Sequence, residues 1–128
     1  MHKFLQKAAA LTRKHDYGDW QEFHLCALIV LGGNILSIGF NKSRHHGYVE
    51  VIKQNEWTNL HAEIDAILKA RRKIDLRGSK MFIVRMISDD TQYAIARPCE
   101  TCQIALKSYG IKKVYYSIDD ETYAVMKI

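Results

Sequence analysis

The sequence predicts a three-layer α/β fold, in which a mixed sheet of about five strands carries helices on both faces. Strand-like and helix-like segments alternate between residues 35 and 118, which favours parallel strands joined by right-handed crossovers. An amphipathic segment precedes this region, and short polar turns separate the elements. At 128 residues, the chain is expected to form a single domain spanning residues 1–128.

The chain begins with a predicted helix over residues 3–15. Its apolar side chains recur at helical spacing, which is typical of a helix that packs one face on a core. The run from Cys26 to Leu31 is apolar throughout. Such a run indicates a strand that is buried on both faces.

A hairpin follows this strand. Gly32 and Gly33, followed by Asn34, suit the positive φ angles of a tight turn. Residues 35–41 then form the returning strand. Residues 42–59 are polar and irregular, and they form the longest predicted loop; loops of this length in a compact domain are often functional.

The next predicted helix covers residues 60–73. Ile64 and Ile67 share its apolar face, and Asp65 is expected on a solvated face. Residues 80–87 form a strand of mostly apolar side chains. A turn at residues 88–90 leads out of it.

A short extended segment at residues 91–97 precedes a helix over residues 98–109. Pro98 suits the first helical turn, because its missing N–H is not needed there. Gly110 ends this helix. Residues 111–118 form another strand, and residues 122–128 either extend the sheet or pack against a neighbouring subunit.

The predicted topology brings two short motifs together. His61-Ala62-Glu63 lies at the start of one helix, and Pro98-Cys99-Glu100-Thr101-Cys102 lies at the start of the other. In a sheet of this kind, both helices begin at the edge where the preceding strands end, which is also where ligands bind. We therefore expect the two motifs to form one site.

These motifs suit a catalytic zinc site. His61, Cys99 and Cys102 supply one imidazole and two thiols, and three protein ligands leave the fourth zinc position open for water. One zinc ion is expected at this site. Zinc lowers the pKa of bound water to about 7 and so makes hydroxide available for the reaction. Glu63 would act as the proton shuttle.

Two other interpretations of the cysteine pair are weaker. A structural zinc would need a fourth ligand, for which Cys26, His24, His45 and His46 are candidates. A redox pair would leave the His-Ala-Glu motif unexplained.

Composition limits the possible partners. The net charge of +5 suits an anionic partner, either a nucleotide or a nucleic acid. No apolar run approaches the roughly 20 residues that cross a bilayer, so no membrane partner is expected. The three cysteines do not suggest a disulfide scaffold, which favours a reducing, cytoplasmic location.

The chain resembles the cytidine and deoxycytidylate deaminase family. The resemblance covers residues 23–118 and is strongest at Asn59–Ile67 and Arg97–Cys102; Gly110–Tyr116 also resembles the strand that follows the zinc helix in deoxycytidylate deaminases. The motif order His-x-Glu and then Pro-Cys-x-x-Cys is typical of zinc-dependent nucleobase deaminases. The resemblance implies a cytidine deaminase-like fold, hydrolytic deamination and a homo-oligomer.

The resemblance also implies substrate contacts. The backbone of Ala62 would contact the pyrimidine carbonyl, and Asn41 would contact the sugar or the base edge. A histidine as first ligand is typical of relatives that act on nucleotides and polynucleotides. We therefore expect Arg44, His45 and Arg97 to contribute to binding a phosphorylated substrate.

The expected function is the hydrolytic deamination of cytosine in a free nucleotide, of the dCMP-to-dUMP type. The alternative is deamination of cytosine or adenine in single-stranded DNA or RNA, for which tyrosine, tryptophan and basic side chains could form a channel. A non-catalytic zinc-binding module is a third interpretation, and Glu63 argues against it. The chain departs from deoxycytidylate deaminases in carrying Asp65 where they usually have asparagine.

Overall fold

The computed structural model describes residues 1–18, 23–42 and 60–128. Within them lie three helices and six strands: α1 (Lys3–Lys14), β1 (His24–Leu31), β2 (Asn34–Phe40), α2 (Ala62–Ala70), β3 (Lys80–Ile87), β4 (Gln92–Ala94), α3 (Glu100–Ser108), β5 (Lys113–Ser117) and β6 (Tyr123–Lys127). The predicted loop at 42–59 lies outside the described residues except for Lys42.

The strands form one mixed sheet in the order β2-β1-β3-β5-β6, with β4 paired to β3. β1 is antiparallel to β2 and to β3, whereas β3 and β5 are parallel. The predicted mixed sheet is confirmed, and β4 is the strand that takes it from five strands to six. A tight turn with positive φ at Ser88, Asp89 and Asp90 folds β4 back onto β3.

Helices cover both faces of the sheet, as predicted. On one face, Leu5, Ala8 and Ala9 of α1 pack against β1 and β3. On the other face, α2 and α3 share a core cluster with β1, β3 and β5. From Leu25 to Leu31, β1 is apolar because it lies between two neighbouring strands and is covered on both sides.

The prediction that Asp65 is solvated was wrong. This side chain is only 3% exposed. Its carboxylate accepts a hydrogen bond from the backbone N–H of Phe40 at 3.0 Å, and it pairs with Lys42 at 3.1 Å and Lys69 at 3.0 Å. Asp65 therefore joins the first turns of α2 to the end of β2, because burial of a carboxylate requires such partners.

The two helices that carry the motifs are shorter than predicted. The helix expected at 60–73 spans Ala62–Ala70, and the helix expected at 98–109 spans Glu100–Ser108. Pro98 therefore precedes the helix, because Cys99 is the N-cap residue and has extended backbone angles. Gly110 follows α3 with a φ of 80°, as the C-terminal glycine was expected to do.

The last strand, β6, extends the sheet by pairing antiparallel with β5. Among the described residues, no helix is long and apolar enough to cross a membrane.

Candidate active site

Two helix starts meet at one edge of the sheet. His61 is the N-cap residue of α2, and Cys99 is the N-cap residue of α3. Cys102 lies in the first turn of α3, on the buried side. Both N-caps have extended backbone angles and make no side-chain capping bond, so their side chains remain available to a ligand.

The three side chains have the spacing of a zinc site. Nδ1 of His61 lies 3.3 Å from Sγ of Cys102 and 3.9 Å from Sγ of Cys99. All three ligand atoms lie within 4.8 Å of one another. Zinc bond lengths of about 2.0–2.3 Å in a tetrahedron place such atoms roughly 3.5–3.8 Å apart. The residues therefore fit a zinc ion.

The electrostatics of the cysteine pair also favour a cation. A hydrogen bond from Cys102, together with one from His61, lowers the pKa of the Cys99 thiol to about 4. The same hydrogen bond and burial raise the pKa of Cys102 well above its ordinary value. Cys99 is thus a thiolate at neutral pH, and thiolate is the form that binds zinc.

Glu63 lies on the first turn of α2, beside this cluster. It is 3% exposed, and burial raises the pKa of its carboxyl. Its Oε1 atom has no hydrogen-bond partner among the described residues. A buried carboxyl with an unpartnered oxygen and a raised pKa suits a group that takes up and releases protons.

The other candidate ligands in the described part of the chain lie elsewhere. Cys26 packs in the cluster beneath α1, on the opposite face of the sheet. His24 pairs with Asp90 at 2.8 Å. The structure therefore brings neither of them to the cluster, and His45 and His46 lie outside the described residues.

A cavity of about 170 Å³ opens beside the cluster. This volume is well below the roughly 300–1,000 Å³ of sites for drug-sized ligands, so it suits a single ring. Its lining combines apolar, amide, carboxyl and guanidinium groups: Phe23, Leu25, Asn41, His61, Ala62, Glu63, Arg85, Ile95, Ala96, Arg97 and Cys99.

The structure brings several predicted substrate contacts to this cavity. Asn41, Ala62 and Arg97 line it, whereas Arg44 and His45 lie outside the described residues. The Asn41 amide also accepts a hydrogen bond from the N–H of Leu25 at 2.7 Å. Asn41 therefore holds the end of β2 against the start of β1 and shapes the cavity wall.

Sequence reasoning missed Arg85, which also lines the cavity. A signal was present, because Arg85 is the only charged residue between Met81 and Ile87 in the apolar run of β3. A charged residue at an inward position of a central strand requires a partner or a function.

Comparison with known families agrees with this arrangement. A model of the cytidine and deoxycytidylate deaminase zinc-binding region matches residues 1–118. None of the curated proteins compared with the chain matches it.

Solved structures of known deaminases share the fold. A dCMP deaminase from the cyanophage S-TIM5 is 24% identical, with a TM-score of 0.61 over 90% of this chain and 79% of that one. A cytidine deaminase from Burkholderia pseudomallei is 19% identical, with a TM-score of 0.68 over 99% and 92%. A diaminohydroxyphosphoribosylaminopyrimidine deaminase/reductase from Thermotoga maritima is 24% identical, with a TM-score of 0.53 over 88% and 28%.

Proposed function

Because the chain belongs to the family of zinc-binding cytidine and deoxycytidylate deaminases, we propose that it deaminates the cytosine base of a free nucleotide. The substrate would be of the dCMP type and the product of the dUMP type. Water adds to the ring carbon, and the exocyclic amine leaves as ammonia. The proposal includes one zinc ion per chain.

One observation carries this proposal. Three zinc-ligand side chains lie together beside a cavity the size of a single ring, and that cavity is lined by Glu63, a buried carboxyl of raised pKa whose Oε1 has no partner among the described residues. A site that only binds zinc does not require such a carboxyl. Hydrolytic deamination does require it, because protons must move from water to the ring and then to the leaving amine.

His61, Cys99 and Cys102 would hold the zinc ion, which supplies Lewis acidity that lowers the pKa of water. Glu63 takes a proton from the attacking water, delivers it to the ring nitrogen, and later helps the amine to leave. The N–H of Ala62 belongs to the first turn of α2, where backbone amides lack helical acceptors. It can therefore donate a hydrogen bond to the carbonyl oxygen of the base.

A free nucleotide is favoured over a nucleic acid. Two guanidinium groups, those of Arg85 and Arg97, line the cavity and could pair with the phosphate of a nucleotide. A cyanophage protein of the same fold has been crystallised with dCMP and dUMP. The second candidate is a base in single-stranded DNA or RNA, which the net charge of +5 would also suit.

The proposal also covers the domain organisation, assembly and compartment of the enzyme. Residues 1–128 would act as one deaminase domain within a homo-oligomer. The described cysteines are all free, which suits a reducing compartment such as the cytoplasm.

The test is ammonia release from a panel of substrates. The panel contains dCMP, CMP, dCTP, cytidine, deoxycytidine, dAMP, guanine and a cytosine-bearing oligonucleotide, each assayed with wild type and with Glu63→Ala. We expect turnover of a free nucleotide that the mutation abolishes. Activity on the oligonucleotide alone, with binding that weakens steeply as salt increases, would instead support the second candidate. Ammonia release that Glu63→Ala leaves unchanged would refute the mechanism.

A further inference from the structure

The guanidinium of Arg85 lies in the wall of the candidate active site, and no acidic side chain of the described residues pairs with it. Its Nε atom is buried and has no hydrogen-bond partner among the described residues. No acidic side chain in that part of the chain forms an ion pair with it. Since arginine stays charged in proteins, a cation with no acidic partner among these residues lines the cavity.

The position of Arg85 in the sheet explains how it reaches the site. It lies near the end of β3, two residues beyond Ile83, which packs in the cluster shared by α2 and α3. Because side chains two residues apart project from the same face of a strand, Arg85 faces the side of the sheet that carries the metal ligands. Its neighbours across the strands are Leu25 and Ala94, and both are apolar.

An aromatic ring holds the guanidinium in place. The Cζ atom of Arg85 lies 4.7 Å from the ring centroid of Phe23, within the range of a cation–π contact. A planar guanidinium supported on one face by a ring still presents the N–H groups of its edge. Such an edge matches the paired oxygens of a phosphate or carboxylate.

The carboxyl that shares the cavity does not serve as the partner. Among the described residues, no ion pair joins Glu63 to Arg85, and Oε1 of Glu63 has no hydrogen-bond partner. The two side chains thus line one cavity without pairing with each other. Each is available to a different part of a bound ligand.

From this arrangement we infer that Arg85 binds the phosphate of the substrate and makes the enzyme select nucleotides over nucleosides. The inference rests on the proposed function, because it assigns one contact within that same site. The phosphate could be the terminal group of a mononucleotide or a phosphodiester of a strand, since the chemistry of recognition is the same. Arg85 would be a specificity-determining residue, with Phe23 as its positioning residue.

The kinetic test compares Arg85→Gln with wild type on dCMP and on deoxycytidine. We expect KM for dCMP to rise by about 10- to 100-fold, and kcat/KM to fall far more for dCMP than for deoxycytidine. Arg85→Lys keeps the positive charge but loses the paired N–H groups of the guanidinium. Its KM for dCMP should therefore lie between those of wild type and Arg85→Gln. Arg72→Gln is the matched control, because Arg72 is exposed just beyond α2. An equal loss on both substrates, or no loss on either, would overturn the inference.

A binding test separates this inference from the proposed reaction. The Nε–H resonance of Arg85 can be assigned in a nitrogen-15 correlation spectrum by its absence in Arg85→Lys. Zinc-loaded Glu63→Ala would be titrated with dCMP, deoxycytidine, inorganic phosphate and a short oligodeoxycytidylate.

We expect the resonance to move with every phosphate-bearing probe and to stay in place with deoxycytidine. A response at lower concentration to the oligonucleotide than to dCMP would identify a strand as the source of the phosphate. The assignment would be refuted if the resonance moved as much with deoxycytidine as with dCMP, or if it did not move with any phosphate-bearing probe. Because this readout needs no turnover, it remains valid if the protein proves inactive on cytosine.

Discussion

Gly39 of β2 lies so close to the first turn of α2 that a Cβ atom on it would overlap the carbonyl oxygen of Ala62. The same Cβ would lie 2.8 Å from the Cβ of Ala66. Ser37, two residues earlier on the same strand, donates a hydrogen bond to the carbonyl of Ala66 at 2.7 Å. The helix that carries His61 and Glu63 is therefore seated directly on the backbone of β2.

Gly39→Ala should displace α2 and so separate His61 from the two cysteines. Overpacking of this kind typically lowers the free energy of unfolding by about 1–3 kcal/mol, and a misplacement of about 1 Å can reduce activity by roughly 100-fold. Denaturant unfolding and deaminase kinetics would measure both effects. The control is Ser37→Ala, which removes one hydrogen bond and should lower stability by about 1 kcal/mol while activity is kept. Wild-type stability in Gly39→Ala would show that α2 does not depend on this contact.

Glu63→Gln should lose nearly all turnover while it keeps the metal. The amide has the size of the carboxyl but cannot carry a proton, and general acid–base groups contribute about 100- to 10,000-fold to rates. Zinc content by elemental analysis and kcat by ammonia release would be measured on the same sample. Loss of zinc from this variant would mean that Glu63 is a ligand, and the assignment as proton carrier would then be wrong.

The same substitution should stabilise the metal-free protein at neutral pH. Burial raises the pKa of the Glu63 carboxyl above its ordinary value of 4.5. Between pH 4.5 and the folded-state pKa, the unfolded chain has lost this proton while the folded chain retains it, so stability falls as the pH rises across that interval. Glu63→Gln removes this dependence. Thermal unfolding of the metal-free proteins between pH 4 and pH 8 should show a higher Tm for the variant at the upper end, and a Tm at or below that of wild type there would contradict the prediction.

The three cysteines should differ in their effect on zinc. Cys99→Ser and Cys102→Ser should each lose most bound zinc and lower the Tm, because metal binding contributes to folding free energy. Cys26→Ser should keep zinc, since Cys26 lies beneath α1, where burial raises the pKa of its thiol to about 12. Metal content and thiol titration after chelation would measure these effects. If Cys26→Ser lost zinc while its fold stayed intact, Cys26 would have to be a zinc ligand, and the prediction would be wrong.

Local sequence patterns predicted most of the elements because each depends on neighbouring residues. The apolar stripe of α1, the glycine turn at Gly32 and Gly33, and the terminating Gly110 all lie where they were expected. The start of α3 was misplaced by the expectation that Pro98 would open the helix. Proline is compatible with a first turn but does not require one, and the extended backbone of Cys99 decided the boundary.

Features that depend on distant residues were beyond the reach of the sequence. The helical neighbours of Asp65 predicted a solvated side chain, whereas its carboxylate accepts the N–H of Phe40 in β2 and pairs with Lys42 just beyond that strand. The charge of Arg85 within an apolar strand was visible, but nothing adjacent to it in the chain indicates its contact with the Phe23 ring. Both cases arise from contacts between elements, which hydrophobic periodicity does not encode.

The chemical groups of the site could be read from the residues alone: one imidazole, two thiols and one carboxyl at two helix starts. They follow from residue type and short-range spacing, which do not depend on the rest of the fold. Packing of distant elements sets the 3.3 Å distance between His61 and Cys102, leaves an oxygen of Glu63 without a partner among the described residues, and brings Arg85 to the same cavity. Those relationships follow from packing α2 and α3 on one face of the sheet, where burial sets the pKa values and brings together residues that are far apart in the chain.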